Sequence, residues 1–130
     1  MNTIVLATGN AGKIRELSAM LAEYVPGIRV LGLADFPEIG DIQETGTTFE
    51  ENARIKAVAV AAATGMVAVA DDSGLSVDAL GGAPGVYSAR YSGADATDEK
   101  NVVKLLGALA DVPDEQRGCH FACVMLAVTP

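Results

Sequence analysis

Several residues in this 130-residue chain have the types and spacing for phosphate chemistry. The first group is Ala7-Thr8-Gly9-Asn10-Ala11-Gly12-Lys13, set between an apolar β-branched run and a segment with helical spacing. A helix start presents unpaired N–H groups and partial positive charge, and both suit a phosphate. Lys13 falls in the first helical turn, where an isolated helix favours an acid, so a cation there makes sense if an anion fills the end. The run matches neither standard fingerprint. GxxxxGK(S/T) fails because Ala7 stands where the first glycine belongs and Ile14 follows the lysine, and GxGxxG fails at Ala11. An ordinary Gly/Asn turn with a solvated lysine is the plain alternative.

The second group is acidic: Glu44, Asp71 and Asp72. The aspartate pair follows an apolar strand-like run, and open α/β sheets place their ligands at the carboxyl ends of strands. Hard oxygen donors in this number suit Mg²⁺, which binds through one or two carboxylates plus water and substrate phosphate. With His120 as the only histidine, softer metals lack ligands. Asp72-Ser73-Gly74 also reads as a common turn, in which the carboxylate bonds its own backbone. Adjacent side chains tend to point apart, so one aspartate can face the site while the other supports it from behind.

The third feature is Lys56. Helical steps from Phe49 give Asn52, Ala53, Lys56, Ala57 and Val60, a stripe that should face the protein. A lysine on that face either snorkels to solvent along its stem or reaches a bound phosphate. Arg54 points elsewhere and is expected to be solvated. Tyr87, Ser88, Arg90 and Tyr91 could line a cleft, with loop packing as the simpler reading. His120, alone and without a partner, reads as structural.

These residues sit on an alternation of strand and helix. Thr3 to Ala7 reads as a strand, and Asn10 to Tyr24 as a helix with Ile14, Leu17, Leu21 and Tyr24 on one stripe. Ile28 to Leu33 is a second strand, and Glu38 to Gly46 a polar loop. Thr47 with Glu50, or Thr48 with Glu51, offers a capping box for an Ala-rich helix that Gly65 would end. Met66 to Ala70 is a buried-type strand running into the Asp-Asp-Ser-Gly turn, with Leu75 to Leu80 as a candidate return arm. Gly81 to Gly85 is a tight loop. Thr97 caps another helix with Val102, Leu105, Leu106 and Leu109 as its stripe, and Gly118 to Val128 is a last strand. The fold class is α/β: one mixed sheet with flanking helices, in a single domain over residues 1–130.

Composition narrows the partners. Half of the residues are apolar, and 9 Lys+Arg against 17 Asp+Glu give a formal charge of −8. Such a field repels nucleic acid and anionic membrane, so a polyanionic ligand needs a few placed cations or a metal. The longest apolar run, Phe121 to Val128, is far short of the roughly 20 residues of a membrane span. No secretory signal is visible, and the expected location is the cytoplasm. Cys119 and Cys123 lie four apart on a strand, about 13 Å from one another, too far for a disulfide or shared metal. Buried, reduced thiols are expected.

In order, ATGNAGK, QETGTTFEENA, ADDSGL and GGAPGVYSARYSG resemble the inosine/xanthosine triphosphate pyrophosphatase family, which clears non-standard purine nucleotides. The separated motifs occur with compatible spacing over essentially the whole chain. The resemblance implies Mg²⁺-dependent hydrolysis of ITP, dITP and XTP between the α and β phosphates, giving the monophosphate and pyrophosphate. It implies that Thr8, Gly9, Asn10, Ala11, Gly12 and Lys13 form the triphosphate-binding turn, with Lys56 and Ser73 as further substrate contacts. Glu44 and Asp72 would be the metal carboxylates, Asp72 also the proton acceptor, and the assembly a homodimer. Family members continue with GFGYDP and Ser-His-Arg segments that resemble the purine-reading part of the site. Neither occurs here, so a partial chain is expected, holding the N-terminal and central part of the fold in one main lobe. Two other readings compete: a phosphate-binding or dimer-forming module without turnover, and a Maf-type pyrophosphatase, against which ADDSGL and SARYSG argue.

Overall fold

The computed structural model describes residues 2–130. Its elements are β1 (Thr3–Leu6), α1 (Ala11–Tyr24), β2 (Arg29–Leu31), α2 (Phe49–Thr64), β3 (Val67–Val77), α3 (Asp98–Ala108) and β4 (Cys119–Val128), joined by short 3-10 turns. The sheet is four-stranded in the order β2-β1-β3-β4. β1 is central and parallel to both β2 (Thr3 opposite Arg29) and β3 (Ile4 opposite Val67). Parallel neighbours require crossovers, and α1 and α2 supply them. The α/β reading with helices flanking a mixed sheet holds.

The helices begin where their polar caps dictate. Asn10 caps α1, accepting from Gly12 N and Lys13 N. Thr48 caps α2, and Gly65 closes it in the left-handed conformation at φ 67°. The Thr48 side chain accepts from Glu51 N, while the Glu51 carboxylate turns back to Thr47 N at 2.7 Å, one residue outside the box pattern. Thr97 caps α3.

The Asp-Asp-Ser-Gly segment is not a turn. β3 runs through it as one strand from Val67 to Val77, so the return arm expected from Leu75 onward is the same strand continuing. A long apolar strand outweighs a local turn propensity when the strand has neighbours to pair with.

The chain divides into two compact units. One contains the chain through Asp71 together with Met125–Pro130, and its core is Val5, Ala7, Ala57, Val60, Ala61, Ala68 and Ala70. Val5 and Val60 are fully buried, each contributing about 1.5–3 kcal/mol by that burial. The expected stripe of α2 is the one buried: Asn52, Ala53, Ala57, Val60 and Ala61. On α1 the stripe is looser, and Tyr24 at the helix end is 80% exposed.

The other unit is Asp72–Val124. Here Val77 and Leu109 are buried, whereas Val102 and Leu106 of the expected α3 stripe are exposed. Arg117 secures the end of α3, its guanidinium donating to Leu109 O and Val112 O at 2.9 Å each. Cys119 and Cys123 are free, as expected, but exposed rather than buried. β4 is the outer strand of the sheet, and its alternate residues from Cys119 to Met125 face outward. His120 is exposed on the same strand.

Candidate functional site

The turn after β1 is built around Asn10. Thr8 Oγ1 accepts from Asn10 N at 3.1 Å, and Asn10 Oδ1 accepts from Gly12 N and Lys13 N at 2.9 and 3.2 Å. Asn10 therefore satisfies part of the helix N-terminus itself and keeps its amide nitrogen as a donor. A Cβ on Gly12 would stand 3.1 Å from Asn10 Oδ1, so a side chain there would crowd the cap. At Gly9 a Cβ would meet nothing within 4 Å, which leaves the backbone of the turn open to close approach.

Lys13 is not a freely solvated lysine. Its ammonium lies 2.9 Å from Asp71 Oδ2, across 58 residues of sequence, where β3 has run two residues past its last pairing with β1 at Val69. The Asp71 side chain is only 10% exposed and Lys13 is 45% exposed. Lys56 reaches the same place from α2. Its ammonium donates to the main-chain oxygen of Asp71 at 2.5 Å and lies 3.0 Å from Glu44 Oε1. Lys56 does not snorkel to solvent: the side chain is held inside, between a carboxylate and a carbonyl. Arg54, by contrast, pairs only with exposed Glu50 on the outer face of α2, as a solvated residue should.

The loop carrying Glu44 is fastened to α2. Buried Asn52 accepts from Gly46 N at 2.7 Å, and Thr47 N donates to Glu51 at the same distance. A Cβ on Gly46 would sit 2.7 Å from Asn52 Oδ1 and 2.6 Å from Glu51 Cβ, so only glycine lets the loop come this close. Asn52 and Lys56 are one helical turn apart, and a single helix face thus fixes both the loop and the cation that meets it.

Asp72 and Ser73 open the second unit. Asp72 is half-buried with its Oδ2 atom enclosed. Ser73, Leu75, Ser88, Asn101, Leu105 and Phe121 line a cavity of about 400 Å³. Of the residues considered for a cleft, Ser88 is committed to the backbone, accepting from Leu75 N at 2.9 Å and donating to Gly85 O at 2.7 Å. Lys104 lies 4.4 Å from the centre of the Tyr91 ring. Asn101, which the sequence reading missed, holds this segment by accepting from Ser92 N and Oγ and donating to Ser88 O and Ala89 O. Its signal was an asparagine at the start of a helix, four residues after the capping Thr97.

Asp71 and Asn52 were visible only as members of patterns, one as half of an acidic pair and the other as one position in a buried stripe. An asparagine one turn before a lysine on the inward stripe of α2 was the available signal, because each needs a polar partner there.

The Ham1 family model matches residues 4–130. A dITP/XTP pyrophosphatase of Shigella flexneri is 56% identical over 97% of this chain and 62% of its own length. One from Nitratidesulfovibrio vulgaris is 60% identical over 98% of this chain and 64% of its own. Among solved structures, a HAM1 protein from Coxiella burnetii superposes with a TM-score of 0.88 at 44% identity, covering 98% of this chain and 63% of that one. The chain thus spans somewhat less than two thirds of the length of these relatives. With the family model matching nearly the whole chain and these relatives more than half identical to it, the chain belongs to the Ham1 family.

Proposed function

We propose that this chain carries the triphosphate end of a pyrophosphatase that hydrolyses non-standard purine nucleoside triphosphates, ITP, dITP and XTP, to the monophosphate and pyrophosphate. The observation that carries the reading is the convergence of Lys13 and Lys56 on Asp71, two residues past the last pairing of β3 with the end of β1. Two cations held just past the paired stretch of the parallel strands β1 and β3, in a chain of net charge −8, are where a polyanion would be bound. The names of the relatives, dITP/XTP pyrophosphatases, support the substrate class.

Hydrolysis of a phosphoanhydride is limited by charge repulsion and by positioning. In this reading the turn Thr8, Gly9, Asn10, Ala11 and Gly12 receives the phosphates on its backbone and on the Asn10 amide nitrogen. Lys13 and Lys56 offset charge on the phosphate oxygens, and Ser73 contacts the substrate. Asp72 orients the attacking water and takes its proton as the α–β anhydride bond breaks and pyrophosphate leaves.

Glu44 and Asp72 are the residues that would hold Mg²⁺. Among the described residues no three His, Cys, Asp or Glu are grouped as a cage, but this ion needs only one or two carboxylates alongside water and phosphate. Their donor chemistry fits, and a bound Mg²⁺ would offset negative charge on the phosphates. The setting is the cytoplasm, where the nucleotide pool lies, and the assembly a homodimer; no helix among the described residues is long and apolar enough to cross a membrane. Nucleic acid has no place in this reading, given the acidic surface.

A panel of ITP, XTP, dITP, GTP and ATP, with pyrophosphate and monophosphate both measured, tests the reading. Both products should appear from the first three and little from the last two. Equal turnover of GTP would overturn the selectivity, and release of orthophosphate would overturn the bond assignment.

A further inference from the structure

We infer that Asp71 is a positioning residue: its carboxylate holds Lys13 and its main-chain oxygen holds Lys56, so one strand residue sets where both cations stand. The inference rests on the phosphate-site reading above. It goes further by assigning a task to the aspartate that neither binds metal nor accepts the proton in that reading.

The geometry separates the two neighbouring aspartates. Asp71 is buried in the first unit, with Oδ2 at 2.9 Å from Lys13 Nζ and its carbonyl 2.5 Å from Lys56 Nζ. Asp72 belongs to the second unit, and its Oδ2 is enclosed. Lys13 belongs to the first turn of α1 and Lys56 to the second turn of α2, two helices separated in sequence by β2. Asp71 is common to both. Since β3 is paired with β1 up to Val69, the residue that holds the lysines is anchored by the sheet two positions earlier.

Holding Lys13 has a chemical consequence. An ammonium carries three N–H donors, and Asp71 takes one while fixing its direction. The remaining two face a ligand from a side chain that has already lost much of its rotational freedom, which reduces the ordering cost of binding. A buried carboxylate near a bound polyanion also repels it. Positioning dominates only if Asp71 acts through Lys13, and that condition is what can be measured.

The probe is inorganic triphosphate, titrated calorimetrically into the full chain, Asp71→Asn, Lys13→Ala and the double variant. Asp71→Asn should weaken binding about tenfold in the wild-type background and less than about twofold in the Lys13→Ala background, the non-additivity expected of residues that act as a unit. Asp71→Glu, which keeps the charge but displaces it by a methylene, should follow the same pattern and replaces Asp71→Asn if that variant fails to fold. Additive losses, or tighter binding by Asp71→Asn, would overturn the positioning role while leaving the phosphate site intact. Failure of the wild-type chain to bind triphosphate would overturn the phosphate site itself.

Discussion

The ammonium of Lys56 lies 3.0 Å from the carboxylate of Glu44, and the two side chains are 18% and 29% exposed. A helix cation and a loop acid therefore meet in a partly enclosed place, where charges interact more strongly than on an open surface. Both residues belong to the proposed reaction, Lys56 on phosphate and Glu44 on the metal.

Lys56→Met keeps the stem of the side chain and removes its charge. If Lys56 stabilises developing phosphate charge, kcat/KM for ITP should fall about 10²-fold or more, the usual effect of removing one such donor. Because the substitution also leaves Asp71 O and the partly enclosed Glu44 without their donor, folding stability should fall by about 1–3 kcal/mol. Steady-state kinetics and thermal unfolding on the same variant separate the two effects; a large loss of stability with unchanged kcat/KM would make Lys56 structural.

Asn52 links α2 to the loop that carries Glu44. Asn52→Ala leaves Gly46 N without its acceptor in a partly buried place and should destabilise the fold by about 1–3 kcal/mol. Gly46→Ala attacks the same junction from the other side by forcing a Cβ against Asn52 and Glu51. Both should lower the unfolding midpoint in denaturant and reduce activity, since Glu44 lies only two residues before Gly46. Wild-type stability for either would mean that the loop is not held this way.

In the second unit Asn101 plays the corresponding part. Asn101→Ala removes its bonds to Ser92, Ser88 and Ala89, and at about 1 kcal/mol net for each typical bond the loss should be 2 kcal/mol or more, roughly. Hydrogen exchange should show the segment Gly85–Arg90 opening faster, with α2 unaffected. Equal acceleration in both places would mean that the units do not open separately.

Much of the fold was legible because its signals are local. Asn10, Thr48, Gly65 and Thr97 act within a few residues of themselves, and they start and stop helices where the sequence suggests. The Asp-Asp-Ser-Gly segment misled for the opposite reason. Its turn propensity is local, but the strand through it is set by neighbours far away in sequence. Cys119 and Cys123 were misplaced because an apolar run does not by itself say what covers the faces of the strand, and alternate residues of β4 are exposed. Around Asp71, residue types were legible: Lys13, Glu44, Lys56 and Asp71 are joined by ion pairs and a hydrogen bond. Which of them meet was not, since the Lys13–Asp71 pair joins positions 58 apart.

The most direct test is pyrophosphate release from ITP with Mg²⁺ present, measured for the intact chain and for Asp72→Asn. Asp72→Asn keeps the shape of the side chain and removes its capacity to accept a proton, so the rate should fall by about 10² to 10⁴, the range for a general base. An unchanged rate would contradict the assignment of Asp72 and with it the proposed chemistry.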